Sequence, residues 1–226
     1  MFQSFPRQHG VLADRSGDAL PSRLSSWSHE PLALPGDGVH FGYVDRGPCR
    51  LRCASGVFEI QAGMYFSVPG EGEVSGPGSG VLMTRIGERG VFMLGGPVEG
   101  TGRLRYIDGC TDSLLIPPVT LGDPCLNLLH IPPHTDQSQH THPSIRMGMI
   151  LGGAGRCVTP SSTTALEAGM VFLIETNGMH SFATEADPLL VLAWHPDSDF
   201  GPTDEDHPML NRTLLPAAAP DPGGER

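Results

Sequence analysis

The sequence predicts an all-β protein built as two small antiparallel barrels in tandem, and three observations carry that prediction. Thirty Gly and 22 Pro among 226 residues argue for many short elements joined by turns rather than for long helices. No stretch holds a 3.6-residue apolar period over three turns. Runs such as "GVFEIQAGMYFSVP" and "IRMGMILGGAGRCVTP" are instead β-branched, aromatic or alternating, and they break at glycines. The chain also repeats itself. "QAGMYFSVPGEGEVS" (61–75) aligns without a gap on "EAGMVFLIETNGMHS" (167–181), an offset of 106 residues, with Ala62, Gly63, Met64, Phe66, Gly72 and Ser75 meeting identical residues. The same offset brings Gly42 onto Gly148, Gly47 onto Gly153 and Arg50 onto Arg156.

In chain order, residues 1–30, with Pro6 and Pro21, read as an N-terminal arm. The first barrel is expected over 31–100, a linker over 101–114, and the second barrel over 115–200. "DPLLVLAWHP" gives the second barrel a short buried strand closed by proline. Residues 201–226 form an acidic, Pro-rich segment ending in a disordered tail, "PAAAPDPGGER". The acidic stretch 195–213 is expected to wrap as a lid or to cross to a second subunit.

Composition bounds the function. Hydrophobic residues make up 38% of the chain, enough for a packed core, and the net charge is −11. All fourteen basic residues are arginines and they are scattered, so no basic face exists to neutralise phosphates; nucleic acid is not an expected partner. The longest apolar run, "LLVLAW", has strand length, and the first 17 residues lack a signal-peptide core. Five cysteines form no CxxC and are odd in number, which fits reduced thiols and a cytoplasmic setting.

The chemistry gathers in the second half. In "QSQHTHPSIRMG", His140 and His142 stand two residues apart. On an extended strand such residues share a face about 6.5 to 7 Å apart and can aim at one ion. His180, in "ETNGMHS", is a third imidazole that an antiparallel barrel can fold back beside them. Three neutral imidazoles suit Fe(II), Ni, Cu or Zn and leave coordination positions open. Arg146 follows four residues after His142, an unexpected neighbour for a cation.

These residues resemble the two motifs of the cupin superfamily, and the repeat makes the chain similar to a bicupin. The first cupin motif sets two histidines as HxH, then a Glu after three or four intervening residues, then a Gly; "HTHPSIRMGMILGG" matches the histidines and the glycine turn. The second motif runs from a Gly to a His, and "GMVFLIETNGMH" keeps Gly169 and His180 at that spacing, with Glu175 and Asn177 where the family has Pro and Gly. The resemblance implies two double-stranded β-helix (jelly-roll) barrels, with one divalent metal held by His140, His142 and His180. Fe(II) is the expected ion, with Ni, Cu, Zn and Mn left open because imidazoles do not discriminate among them.

The departure is the missing Glu, whose place Arg146 takes. Some members of the superfamily bind Fe(II) with three histidines alone, and the vacancy then admits a substrate that chelates the ion. Arg146 would anchor a carboxylate or enolate of such a substrate by charge-assisted hydrogen bonds, unless it turns outward or pairs with Asp136 or Glu175. His134 or Asp136 could supply a fourth ligand or a contact behind the ligands. In the first half the equivalent positions are Leu34, Gly36 and Val74, which cannot coordinate through a side chain, so that barrel is expected to serve packing, dimerisation or coverage of its neighbour.

The expected function is therefore that of a three-His, metal-dependent dioxygenase acting as a homodimer on a small anionic, chelating molecule. The alternatives are a sensor or small-molecule-binding cupin with a structural metal, and a metal-dependent isomerase or lyase using His134 or Glu175 as general base.

Overall fold

The computed structural model describes residues 1–198. The readings for 201–226, and for 195–213 beyond residue 198, lie outside the described residues. Nineteen β-strands and one short 3₁₀ turn at Ile107–Gly109 make up the described secondary structure, as the missing helical period predicts.

The first barrel pairs two sheets. The larger runs in the order β11 (Met93–Gly95), β8 (Tyr65–Pro69), β5 (Gly38–Arg46), β10 (Ser79–Ile86), β3 (Ser22–Ser28), β2 (Gly10–Arg15). The smaller runs β4 (Leu32–Leu34), β9 (Gly72–Ser75), β6 (Cys49–Cys53), β7 (Gly56–Ile60). The second barrel is organised around the long β15 (Arg146–Thr159). Its large sheet runs β1 (Phe2–Phe5), β17 (Val171–Ile174), β15, β19 (Leu189–His195), β14 (Cys125–Ile131), β13 (Thr111–Ile116), β12 (Leu104–Arg105). The far half of β15 pairs with β16 (Ser162–Glu167) and β18 (Ser181–Ala183). All pairings are antiparallel, the arrangement of two tandem jelly-roll barrels.

Two boundaries differ from expectation. The segment 1–30 is not an arm: β2 and β3 belong to the first barrel, and β1 crosses to the second, pairing Phe2 with Ile174 and Phe5 with Val171. Its prolines lie beside strand ends, Pro6 just after β1 and Pro21 just before β3, where a missing N–H costs no ladder bond. The stretch 101–114 is likewise more than a linker, since it contains β12 and the start of β13.

The repeat has a physical cause. Gly42 on β5 lies opposite Phe66 on β8, and Gly148 on β15 lies opposite Phe172 on β17, 106 residues on. A Cβ at Gly42 would fall 2.0 Å from the Phe66 ring, and one at Gly148 2.9 Å from that of Phe172. The turns match as well. Gly63 N–H donates to the Val44 carbonyl and Gly169 N–H to that of Ile150, both at 2.8 Å, with φ of +84° and +91° at the two glycines.

Strict alternation in the large sheet of the second barrel separates two faces. Met147, Met149, Val171, Leu173, Leu126, Leu128, Leu192 and Trp194 point to a core shared with Val39, Phe41, Tyr43, Val81 and Met83 of the first barrel. The residues between them point the other way, into the interior of the second barrel. The first barrel's own interior is filled by Trp27, Leu34, Val44, Leu51, Ile60, Phe66, Val68 and Val74. Leu34 and Val74, at the positions of His140 and His180, are thus buried apolar packing.

Candidate metal centre and substrate cavity

The inward face of the large sheet carries rows of side chains set by register. Cys125 pairs with His195, and Met147 with Trp194, which puts Arg146 across from His195 and Ile174. The next row is Asn127, Ala193, Gly148 and Phe172. Gly148 lets the Phe172 ring and the Leu192 carbonyl close over this row, so Phe172 and Ala193 rather than Gly148 face the space beside Arg146. The result is a cavity of about 220 Å³, whose apolar walls include Leu129, Phe172, Ile174, Phe182, Val191 and Ala193.

The opposite wall brings the three predicted imidazoles together. His140 and His180 exchange both backbone hydrogen bonds across an isolated bridge, at 2.9 and 3.0 Å, and Asn177 N–H donates to the His142 carbonyl at 2.8 Å. The geometry differs from that of an extended strand carrying both His140 and His142. Pro143 and Ser144 form a bend, and β15 begins only at Arg146. Proline cannot donate to a ladder and restrains the residue before it, so strand alternation does not run through the motif. Cross-chain pairing, rather than i, i+2 spacing on one strand, is what aligns the histidines.

One ligand nitrogen from each of His140, His142 and His180 lies within 4.8 Å of the others. The ring centroids are 5.0 Å apart for His140 and His142, 4.6 Å for His140 and His180, and 5.2 Å for His142 and His180. His140 Nδ1 lies 2.8 Å from the Ser138 carbonyl and His180 Nδ1 2.8 Å from that of Gly178. A carbonyl only accepts, so each Nδ1 carries the proton and each Nε2 offers a lone pair, the usual arrangement behind a metal-binding imidazole. Burial, reinforced by the Arg146 charge and the other two imidazoles, pushes His142 down to about 3. Burial likewise pushes His180 down to about 4, against the opposing effect of its bond to Gly178. Both rings are therefore neutral near pH 7. This cluster of imidazole donors would suit a divalent ion held by His140, His142 and His180.

Arg146 is 9% exposed and faces the cavity. Its Nη1 donates to the Ser144 hydroxyl at 2.8 Å and to the carbonyls of Ser144 and Ile145 at 3.1 Å, so the guanidinium is held in place from its own strand end. It does not take Glu175, which is held by Gln3 at 2.5 Å and by Arg15. His134 and Asp136 are exposed and do not line the cavity. Both sit on the loop before the HxH segment; His134, at φ +56°, donates its N–H to Glu185, and Asp136 bridges to Ala183. Neither reaches the ligand cluster, and neither His134 nor Glu175 is placed as a general base.

Two cavity residues, Asp112 and Asn127, escaped the sequence reading, and His195, which the sequence alone leaves either at the rim or in solvent, joins them. His195 lies beside His142, with ring centroids 6.4 Å apart, and burial followed by the Arg146 charge holds it well below the ordinary imidazole range. Asp112 and Asn127 line the far side, with Asn127 Nδ2 donating to Asp112 Oδ1 at 2.8 Å. Burial raises the Asp112 carboxyl to about 6. The available signal was Asn127 itself, a lone amide inside the largely apolar "CLNLLHI".

No protein-family model and no curated protein matches the sequence. Solved structures match it in shape. A cupin 2 conserved barrel domain protein from Leptotrichia buccalis superposes with a TM-score of 0.57 at 11% identity, over 86% of this chain and 87% of that one. A salicylate 1,2-dioxygenase from Pseudaminobacter salicylatoxidans gives 0.60 at 12% identity, over 83% and 76%. The Bacillus subtilis oxalate decarboxylase gives 0.53 at 12%, over 88% and 76%. The chain has the cupin fold. Among the described residues, no helix is long and apolar enough to cross a membrane.

Proposed function

We propose that the chain is a bicupin whose second barrel binds one divalent metal ion, Fe(II) by preference, through His140, His142 and His180. In this reading it acts as a dioxygenase on a small anionic substrate that chelates the ion. The observation that carries the reading is three imidazoles converging on one wall of a largely apolar cavity that also holds a fixed guanidinium. A redox-active divalent ion at this position supplies the site at which a chelating substrate and dioxygen are brought together.

The chain's own residues do the rest. His140 and His180 would hold the ion through Nε2, because their Nδ1 protons are committed to backbone carbonyls. Arg146 neutralises and orients a substrate carboxylate or enolate, and its three hydrogen bonds to the Ser144–Ile145 turn hold the fork before the substrate arrives. Phe172, Ile174, Phe182 and Val191 keep the cavity apolar, which strengthens that charge pairing. Support by analogy comes from the matched structures, one a salicylate 1,2-dioxygenase and one an oxalate decarboxylase with Mn(II) centres.

Metal analysis of protein purified without added metal tests the reading, followed by anaerobic Fe(II) loading and electron paramagnetic resonance with nitric oxide as an oxygen analogue. One ion per chain and a nitrosyl signal are expected. Replacing His140 and His142 together by Ala should abolish both, whereas Arg146→Met should keep the ion and weaken carboxylate binding. Undiminished metal in the double variant sinks the site. A metal-replete protein that gives no nitrosyl signal favours a sensor with a structural ion.

A further inference from the structure

The cavity has a second polar pole, and it is acidic. Asp112 is the one carboxylate among its lining residues, and it stands on β13, three strands across the sheet from Arg146 on β15. Its orientation is fixed by a short chain of hydrogen bonds. The Cys125 thiol donates to Asn127 Oδ1 at 3.4 Å, and Asn127 Nδ2 donates to Asp112 Oδ1 at 2.8 Å. Burial pushes the Cys125 thiol up to about 12, so it remains a donor throughout the physiological range. Among the described residues, no hydrogen bond reaches Asp112 Oδ2 and no ion pair takes the carboxylate; Arg105 on the adjacent β12 and Tyr106 after it also line the cavity, and neither bonds to Asp112. Between the two poles the floor is apolar, formed by Leu129, Val191 and Ala193. Three strand spacings of about 4.8 Å separate the two backbones by roughly 14 Å along the sheet, and the inward reach of both side chains shortens that gap.

A half-buried carboxyl that lines a cavity, with one oxygen engaged by Asn127, has acceptor capacity left for a ligand. We infer that Asp112, presented by Asn127, is a specificity-determining residue that accepts a hydrogen bond from a hydroxyl or amino group on the substrate, at the end remote from its anionic group. This rests on the proposed role of Arg146 as the anion anchor. The ligand class that fits is a bifunctional acid: an anionic head, an apolar spacer of a few carbons, and a hydrogen-bond donor at the tail.

Hexanoate and 6-hydroxyhexanoate, identical but for the terminal hydroxyl, are suitable probes, with binding followed by calorimetry on the full chain. The native protein should bind the hydroxylated probe about tenfold or more tightly than its parent, the worth of one hydrogen bond to a charged acceptor. Asp112→Leu, close in shape, should erase that preference while leaving hexanoate affinity and metal content unchanged. Asp112→Asn, which keeps an acceptor, should retain part of it. Arg146→Met should weaken both probes by the same factor and preserve their ratio. The inference is overturned if the native protein shows no hydroxyl preference, or if the preference survives in Asp112→Leu. Failure of the anion-anchor reading looks different: both probes would then bind Arg146→Met as tightly as the native protein.

Discussion

At the scale of single residues, the site is made of groups held against their ordinary tendencies. Asp112 shows this through its linkage to stability. Its carboxyl titrates at about 6 in the folded chain against 3.8 ordinarily, so between those values the folded state holds a proton that the unfolded chain has lost. Stability at this residue is therefore full below about pH 4 and declines as pH rises through 6, the reverse of the usual salt-bridged carboxylate. The displacement corresponds to about 3 kcal/mol as an upper figure. Asp112→Asn keeps an acceptor for Asn127 and removes the ionisation. It should unfold several degrees higher than the native protein at pH 7 and at nearly the same temperature at pH 4, measured by calorimetry. An equal shift at both pH values would mean that the gain is packing rather than charge. Legibility divides along the same line. His140, His142 and His180 could be picked from the sequence because HxH is local and His180 falls at a recognisable distance from Gly169. Asp112 could not, and Asn127 and His195 could be noticed but not placed. They meet only because β13, β14 and β19 pair in one register, and a lone Asp in "TDSLLI" is indistinguishable from a solvated one.

At the scale of elements, the repeat was legible because it encodes a steric partnership rather than a sequence habit: a glycine on one strand makes room for a phenylalanine on the next. The two copies are not equivalent, and that makes a test. The three atoms nearest a Cβ at Gly42 all belong to the Phe66 ring, whereas at Gly148 the nearest atom is the Leu192 carbonyl oxygen, at 1.9 Å. Gly42→Ala and Gly148→Ala should each destabilise by about 1 to 3 kcal/mol or more, as overpacked cores do. Adding Phe66→Leu should recover part of the first loss, a favourable coupling in a double-mutant cycle. Adding Phe172→Leu should recover little of the second, because backbone still blocks the space. Equal rescue in both barrels would show that the ring alone dictates the glycine. What the repeat could not reveal was the exchange of β1. Phe2 stacks on Phe172 with ring centroids 5.7 Å apart, a contact between residue 2 and residue 172 that no local pattern announces, and Pro6 disguised the strand as a loop.

At the scale of the whole molecule, the two barrels do not read as beads on a linker. The outer faces of their large sheets form one core, in which Phe41 meets Trp194 with ring centroids 6.1 Å apart. β1 starts the chain in the second barrel, and Arg7 just after it pairs with Asp45 of the first at 2.6 Å. Later, Arg85 of β10 donates to the Pro196 carbonyl at 3.2 Å. Chains of this length commonly unfold in more than one step, so cooperativity here is a specific expectation of the shared core. The two tryptophans report on it separately. Trp27 is buried inside the first barrel and Trp194 in the shared core, so the variants Trp27→Phe and Trp194→Phe each leave a single fluorescent probe. Guanidinium transitions followed by the two probes should coincide within error, each referenced to the circular dichroism of its own variant. Phe41→Ala, which opens the shared core by a ring at a typical cost of about 3 to 5 kcal/mol, should move the Trp27 transition although Trp27 lies in a different cluster. If Phe41→Ala left the Trp27 midpoint unchanged, or the two single-tryptophan variants gave separate midpoints with Phe41 intact, the barrels would be independent folding units. The cavity behind Arg146 would then owe nothing to the barrel that packs against its floor.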